Sequence, residues 1–331
     1  MDMKKYLTEV FFYFLLPATL IAAVAEFSLR KIPNDYAYKN QWLTQNSYEL
    51  EVLALGTSSI LHDIDPHYLR KNGFNAAHLS QSLRYDHFIF NKFIDRMPSL
   101  EYVILGIDYW SPYGDIAESP EWWRVKYYNI HYGSKLYRWE GKYNFELYFR
   151  DIGTFKRAAK GFFTLMGLMN ESHITINDKG HGVHYTFFNR AAEWDNGEME
   201  ATRHNELIRN AQQDGLIEQN KAYVEDIIRK CAERNVMVIL LNVPLFKTYR
   251  EHQICDFVDQ QKAFCNYFAE KYENVLYADF SNHPEFTEKD FYDANHLNDR
   301  GAKKFTLMLD NILSDSSSRF RTTHKINRSN D

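Results

Sequence analysis

Three residues from opposite ends of the chain could form one nucleophilic apparatus. Ser58 lies in Leu55-Gly56-Thr57-Ser58-Ser59, and Asp293 and His296 lie in Asp293-Ala294-Asn295-His296-Leu297. A serine hydroxyl is a poor nucleophile at neutral pH and needs a base within hydrogen-bonding reach. An imidazole titrates near working pH, and a carboxylate three residues earlier can hold its tautomer and stabilise the cation formed on proton transfer. Gly56 and Thr57 are small, so the turn can leave the Ser58 backbone N–H free to donate to an oxyanion. Ser59 is the rival nucleophile, but the Gly-x-Ser spacing favours Ser58. Simpler roles compete: a turn hydroxyl for Ser58, and loop or capping roles for Asp293 and His296 before a helix starting around Asp299.

The elements that must position these residues follow from hydropathy. Short apolar runs at 51–55, 74–77, 102–107, 236–241 and 275–278 read as strands. Helical patterns lie near 66–71, 85–97, 216–234, 256–272 and 300–313. Uninterrupted apolar strands such as Val236-Met237-Val238-Ile239-Leu240-Leu241 suit a sheet covered on both faces. The alternation predicts an α/β domain with a doubly wound parallel sheet of about five strands, a flavodoxin-like three-layer sandwich. In such sheets the site lies at the carboxyl ends of the strands, which is where Ser58 and Asp108 fall. The alternation stops over 109–215, a stretch rich in aromatics (Trp110, Trp122, Trp123, Tyr127, Tyr128, Tyr132, Trp139). This predicts an insertion folded against the strand ends as a lid or substrate wall, with most aromatics in its own core. Segment 31–48 reads as a polar connector, 49–313 as the domain with its insertion, and 314–331 as a disordered polar tail.

Net charge is −5, from 39 basic and 44 acidic residues, so no strong field favours nucleic acid as a partner. The run 10–25 (VFFYFLLPATLIAAVA) contains no charge and follows Lys4 and Lys5. It is somewhat shorter than the roughly 20 residues of a spanning helix, and Tyr6, Leu7 and Phe27 extend it. Residues 1–30 are therefore expected to be a transmembrane anchor with the rest of the chain extracytoplasmic. Ala23-Val24-Ala25 resembles a signal-peptidase site, so a secreted or periplasmic product is the alternative. Cys255 and Cys265 sit about 15 Å apart along one expected helix, too far for a bridge, and Cys231, Cys255 and Cys265 have no metal-binding spacing.

The Gly56-Thr57-Ser58-Ser59 turn and the late Asp293-x-x-His296 block, on this strand pattern, resemble the SGNH (GDSL-like) hydrolase superfamily. The anchor and the Gly-x-Ser-Ser turn make the likeness closer to membrane-anchored envelope members. Among these are the accessory protein of teichoic-acid D-alanylation, the enzymes of exopolysaccharide O-acetylation, and uncharacterised Bacteroides-type envelope proteins. The resemblance implies a bacterial serine esterase or O-acyltransferase acting on an acylated carbohydrate or other ester. It implies no metal or organic cofactor, and it raises a membrane acyltransferase partner. Its catalytic residues would be Ser58, Asp293 and His296. The chain departs from the family on the oxyanion side. No glycine follows the second strand, where Asn75-Ala76-Ala77-His78-Leu79-Ser80-Gln81-Ser82 stands, so a backbone N–H near Ser80 or the Gln81 amide must substitute. Asp108 occupies the place of a donating Asn and donates only when protonated. A catalytically degenerate protein that binds a glycan or assists an acyltransferase is the competing expectation.

Overall fold

The computed structural model describes residues 3–137, 139–148, 152–190, 194–211 and 215–328, with side chains described up to 314 apart from that of 152. The chain forms two compact units: Met1–Asn40 with Trp122–Ile174, and Gln41–Glu121 with Thr175–Asp331.

The second unit is built on five parallel strands, β1 Val52–Leu55, β2 Gly73–Asn75, β3 Tyr102–Gly106, β4 Met237–Asn242 and β5 Val275–Asp279, in the order β2-β1-β3-β4-β5. β1, β3 and β4 are buried along their whole length, as continuous apolar strands require. β5 is partly exposed, as an edge strand tolerates. Because the chain moves from β1 to β2 and then back across β1 to β3, right-handed crossovers place the following helices on opposite faces. The packing agrees. The helix after β1, Ser58–Asp63, packs on the last helix, Asp299–Arg328, whereas Leu83–Phe93 after β2 packs on Leu216–Ala232 after β3. The switch in direction opens a crevice at the carboxyl ends of β1 and β3. After β5, strands β6 Phe291–Asp293 and β7 His296–Leu297 form an antiparallel hairpin with Asp293 opposite His296.

The first unit contains an N-terminal helix, α1, continuous over Met3–Lys31, with a π-helical stretch at Phe11–Leu15. It is long and apolar enough to cross a membrane, a test that a signal sequence also passes. Its later part packs against α5 (Ile152–Leu165) through Ala25, Leu29, Ile32 and Ala158. Tyr128, Tyr132 and Tyr143 are buried in this unit, and a Lys126–Glu146 ion pair of 2.5 Å is buried with them.

Four expectations change. The 31–48 connector contains a helix, Asp35–Asn46, in which Tyr36, Lys39 and Leu43 are buried. A lysine at the middle buried position hides the apolar period. The 109–215 stretch is not one insertion: Trp122–Ile174 belongs with α1, and its flanks belong with the sheet. The pattern at 66–71 is only a 3₁₀ turn at Pro66–Tyr68, and the helix Ser58–Asp63 was not anticipated. The last helix continues to Arg328 through most of the segment read as a tail, since no Gly or Pro interrupts 302–328; residues 329–331 lie outside the described ones.

Ile60 explains two glycines. A Cβ on Gly56 would stand 2.6 Å from Ile60 Cγ1, and one on Gly106 would also collide with that side chain. Gly56 has a φ of +143°, which L side chains rarely adopt. Gly56→Ala should therefore cost about 1–3 kcal/mol by overpacking and strain, read as a lower urea midpoint at unchanged m-value in detergent-solubilised full chain.

Candidate active site

The site is assembled from the ends of β1 and β3 and from the β6–β7 hairpin. Thr57 is the N-cap of the Ser58–Asp63 helix, its hydroxyl accepting from the Ser59 N–H. Asp108, just past β3, takes both hydroxyls flanking Ser58. Its Oδ1 accepts from Ser59 Oγ at 2.7 Å and its Oδ2 accepts from Thr57 Oγ1. Ser59 is buried and its hydroxyl is committed, so only the middle hydroxyl of the three is left for other work.

That hydroxyl meets the hairpin. Ser58 Oγ lies 2.8 Å from His296 Nε2, and His296 Nδ1 lies 2.9 and 3.0 Å from the two Asp293 oxygens. A carboxylate only accepts, so Nδ1 carries a proton, and in the neutral imidazole Nε2 is left to accept from Ser58. Asp293 also accepts from the backbone N–H groups of Asn295 and His296, which fixes its rotamer from within the hairpin. Ser58, Asp293 and His296, chosen from sequence, are thus brought together as one hydrogen-bonded chain. Burial pushes the His296 imidazole down, but the charge and hydrogen bond of Asp293, with Asp63 and Asp108, outweigh it and raise it to about 9. The share owed to Asp63 and Asp108 shrinks as those carboxyls become neutral, because burial pushes both of them up.

The oxyanion candidates separate cleanly. Asp108 accepts at both oxygens, which takes it out of the donor set. The buried Gln81 amide donates to Asp86 Oδ1 at 2.6 Å, so it too is committed. Ser80 behaves differently. It occupies the third position of a turn closed by Gln81 N–H to His78 O at 3.2 Å, and its φ is +56°. Glycine is the usual residue at that φ. The serine therefore supplies the conformation whose glycine was missing from the sequence. His78 N–H donates to Gly56 O at 3.3 Å, tying this turn to the Ser58 turn. The Ser58 and Ser80 N–H groups have no acceptor among the described residues.

Several supporting residues were not identified from sequence. Asp63 is buried at the end of the Ser58 helix, and its Oδ1 accepts from Leu297 N–H at 2.8 Å, linking that helix to the hairpin. Its Oδ2 has no partner among the described residues. Asp86 is also buried and accepts from Gln81 and Gly56 N–H; burial pushes its carboxyl well up. Asp86, in the first turn of its helix, looks like an ordinary N-terminal acid, and Asp63, the last residue of a six-residue helix, looks like a surface acid at a helix end, so neither carboxyl had a distinguishing signal. His62 stacks on Tyr185 at 3.7 Å, and Tyr185 stacks on Tyr292 at 3.9 Å. The Tyr185 ring meets His296 edgewise at 5.3 Å. Gly182 makes room, since a Cβ there would stand 2.5 Å from the His62 ring. The three cysteines are free; Cys231 and Cys265 are buried and Cys255 is exposed. No protein-family model matches the chain, and no curated protein matches it.

Two outcomes follow from this geometry. Burial pushes the Asp63 carboxyl well above its ordinary value, toward the neutral form, whose acceptor Asn keeps and Leu does not. Asp63→Asn should stay within about 1 kcal/mol of wild type, while Asp63→Leu, which orphans the Leu297 N–H, should lose about 1–3 kcal/mol in urea unfolding. The second concerns pH. A folded-state imidazole raised from 6.5 to about 9 binds more protons than the unfolded one between those values. Its stabilisation is complete below pH 6.5 and is lost as pH rises toward 9. His296→Gln should flatten the unfolding-midpoint profile across that window.

Proposed function

We propose that this chain is an extracytoplasmic serine-dependent acyl esterase or O-acyltransferase, acting on an acylated envelope glycan or a similar ester. The observation that carries this reading is the continuous chain Ser58 Oγ–His296 Nε2 at 2.8 Å and His296 Nδ1–Asp293 at 2.9 Å. Ser58 attacks the acyl carbonyl and His296 takes its proton, with Asp293 holding the imidazole and stabilising the imidazolium. His296 then returns the proton to the departing alkoxide, leaving an acyl ester on Ser58. In the second half, His296 takes a proton from water or a sugar hydroxyl as that oxygen attacks the acyl carbonyl, and returns it to Ser58 Oγ as the bond between the acyl group and the serine breaks. The Ser58 and Ser80 N–H groups are the oxyanion donors in this scheme, each worth about 10²–10³ in rate. The membership that fits is the SGNH superfamily, with α1 as a bacterial membrane anchor and a membrane acyltransferase as the partner supplying or receiving acyl groups.

A second reading has a specific observation in its favour. The turn is surrounded by acceptor carboxylates (Asp63, Asp86, Asp108), and an imidazole raised to about 9 is mostly protonated at neutral pH. Such a site suits a catalytically inert protein that binds a glycan or assists an acyltransferase. Fluorophosphonate labelling separates the two. The enzyme reading expects covalent labelling of wild type that accelerates with rising pH and levels off as pH passes about 9, is absent in Ser58→Ala, and is slowed about 10³-fold or more in His296→Ala. Labelling that survives Ser58→Ala removes the nucleophile assignment, and a folded wild type that does not label at any pH favours the binding reading.

A further inference from the structure

Helix α5 is built the wrong way round for water. The face it buries carries the small side chains Thr154, Ala158 and Gly161, with the half-buried Arg157 at its edge donating to Thr154 Oγ1, and a Cβ on Gly161 would stand 2.7 Å from the Ser28 carbonyl oxygen of α1. Its large apolar side chains point out: Phe155 is 65% exposed, Phe162 42% and Phe163 43%. The turn that follows continues the pattern, with Met166 62% and Leu168 70% exposed, alongside Leu165 and Met169. A helix docked in water buries its large apolar stripe and leaves the small and polar residues outside. Small residues at the helix contact and large apolar ones outward is how helices pack in lipid.

The surface is continuous with a second one. α5 packs on the later half of α1, whose Leu20, Ile21, Val24 and Phe27 are also exposed. At 14 residues α5 spans about 21 Å, too short to cross a hydrocarbon core of about 30 Å. Lys156 and Lys160 are exposed on the same helix, and Lys160 pairs with Glu171 at 3.1 Å. Phe on one side and Lys on another is the composition of a helix lying in the headgroup region.

We infer that α5 and the turn Met166–Met169 form a second membrane contact, seated in the interfacial layer of the leaflet that α1 enters. The inference rests on α1 being a retained anchor, and its occupant is lipid rather than a protein groove. It gives unit Met1–Asn40 with Trp122–Ile174 two attachments to the bilayer, where a single span would leave it free to rotate about the membrane normal.

Site-directed nitroxide labelling of the full chain in phosphatidylethanolamine–phosphatidylglycerol vesicles tests this. Cys255→Ser removes the one exposed thiol, and burial pushes the Cys231 and Cys265 thiols up and out of reach of the label. Labels at Phe155→Cys, Phe162→Cys and Leu168→Cys should gain accessibility to oxygen and lose most of their accessibility to a water-soluble nickel chelate. Tyr48→Cys, in the other unit, should stay open to the chelate. Ile21→Cys reports α1 separately: a lipid signal there with water-exposed α5 labels overturns the second contact and leaves the anchor standing. Chelate access at all four apolar positions overturns both. Labels on α5 shielded from oxygen and chelate alike mean a protein contact, and that also overturns the inference.

Discussion

One half-buried carboxylate organises the candidate site. Asp108 binds the hydroxyls of Thr57 and Ser59, the residues on either side of Ser58. A turn of three consecutive hydroxyl residues offers three nucleophiles of similar chemistry. Sequestering the outer two leaves one, and it fixes the backbone so that this one faces His296. The arrangement also has an electrostatic consequence. Negative charge under the turn raises the His296 imidazole and opposes ionisation of neighbouring carboxyls. Protonation states at this site are therefore set jointly, and no single residue titrates alone.

The parts of the fold carried by local pattern were legible from sequence. β1, β3 and β4 are fully buried and read as continuous apolar runs, and the three chain-distant residues at the site were marked by type and spacing. The features that escaped were those in which a polar residue takes a buried position. Lys39 broke the period of the helix Asp35–Asn46, and Asp63 and Asp86 resembled surface acids although both are inside. The division of 109–215 escaped for a different reason. Membership of a unit depends on long-range packing, which residue types do not record, and aromatics occur in both parts.

Ser80 illustrates a limit of reading function by residue identity. The absent glycine after β2 looked like a loss on the oxyanion side. What the site requires there is a backbone conformation, and a serine held at positive φ supplies it at a cost of about 1–2 kcal/mol. Neighbouring bonds, including His78 N–H to Gly56 O, hold that turn in place. The turn after β2 thus keeps a conformation that its letters do not announce.

The hydrogen bond from Leu297 N–H to Asp63 has a consequence for how the molecule comes into being. Its partners are 234 residues apart, and Ser58 and His296 are 238 apart. Contacts of such separation form late, after intervening segments have been ordered. On the proposed mechanism, a chain emerging N-terminus first presents Ser58 long before His296, the group that would take its proton. In that scheme the Ser58–His296 pair is complete only once the β6–β7 hairpin has docked.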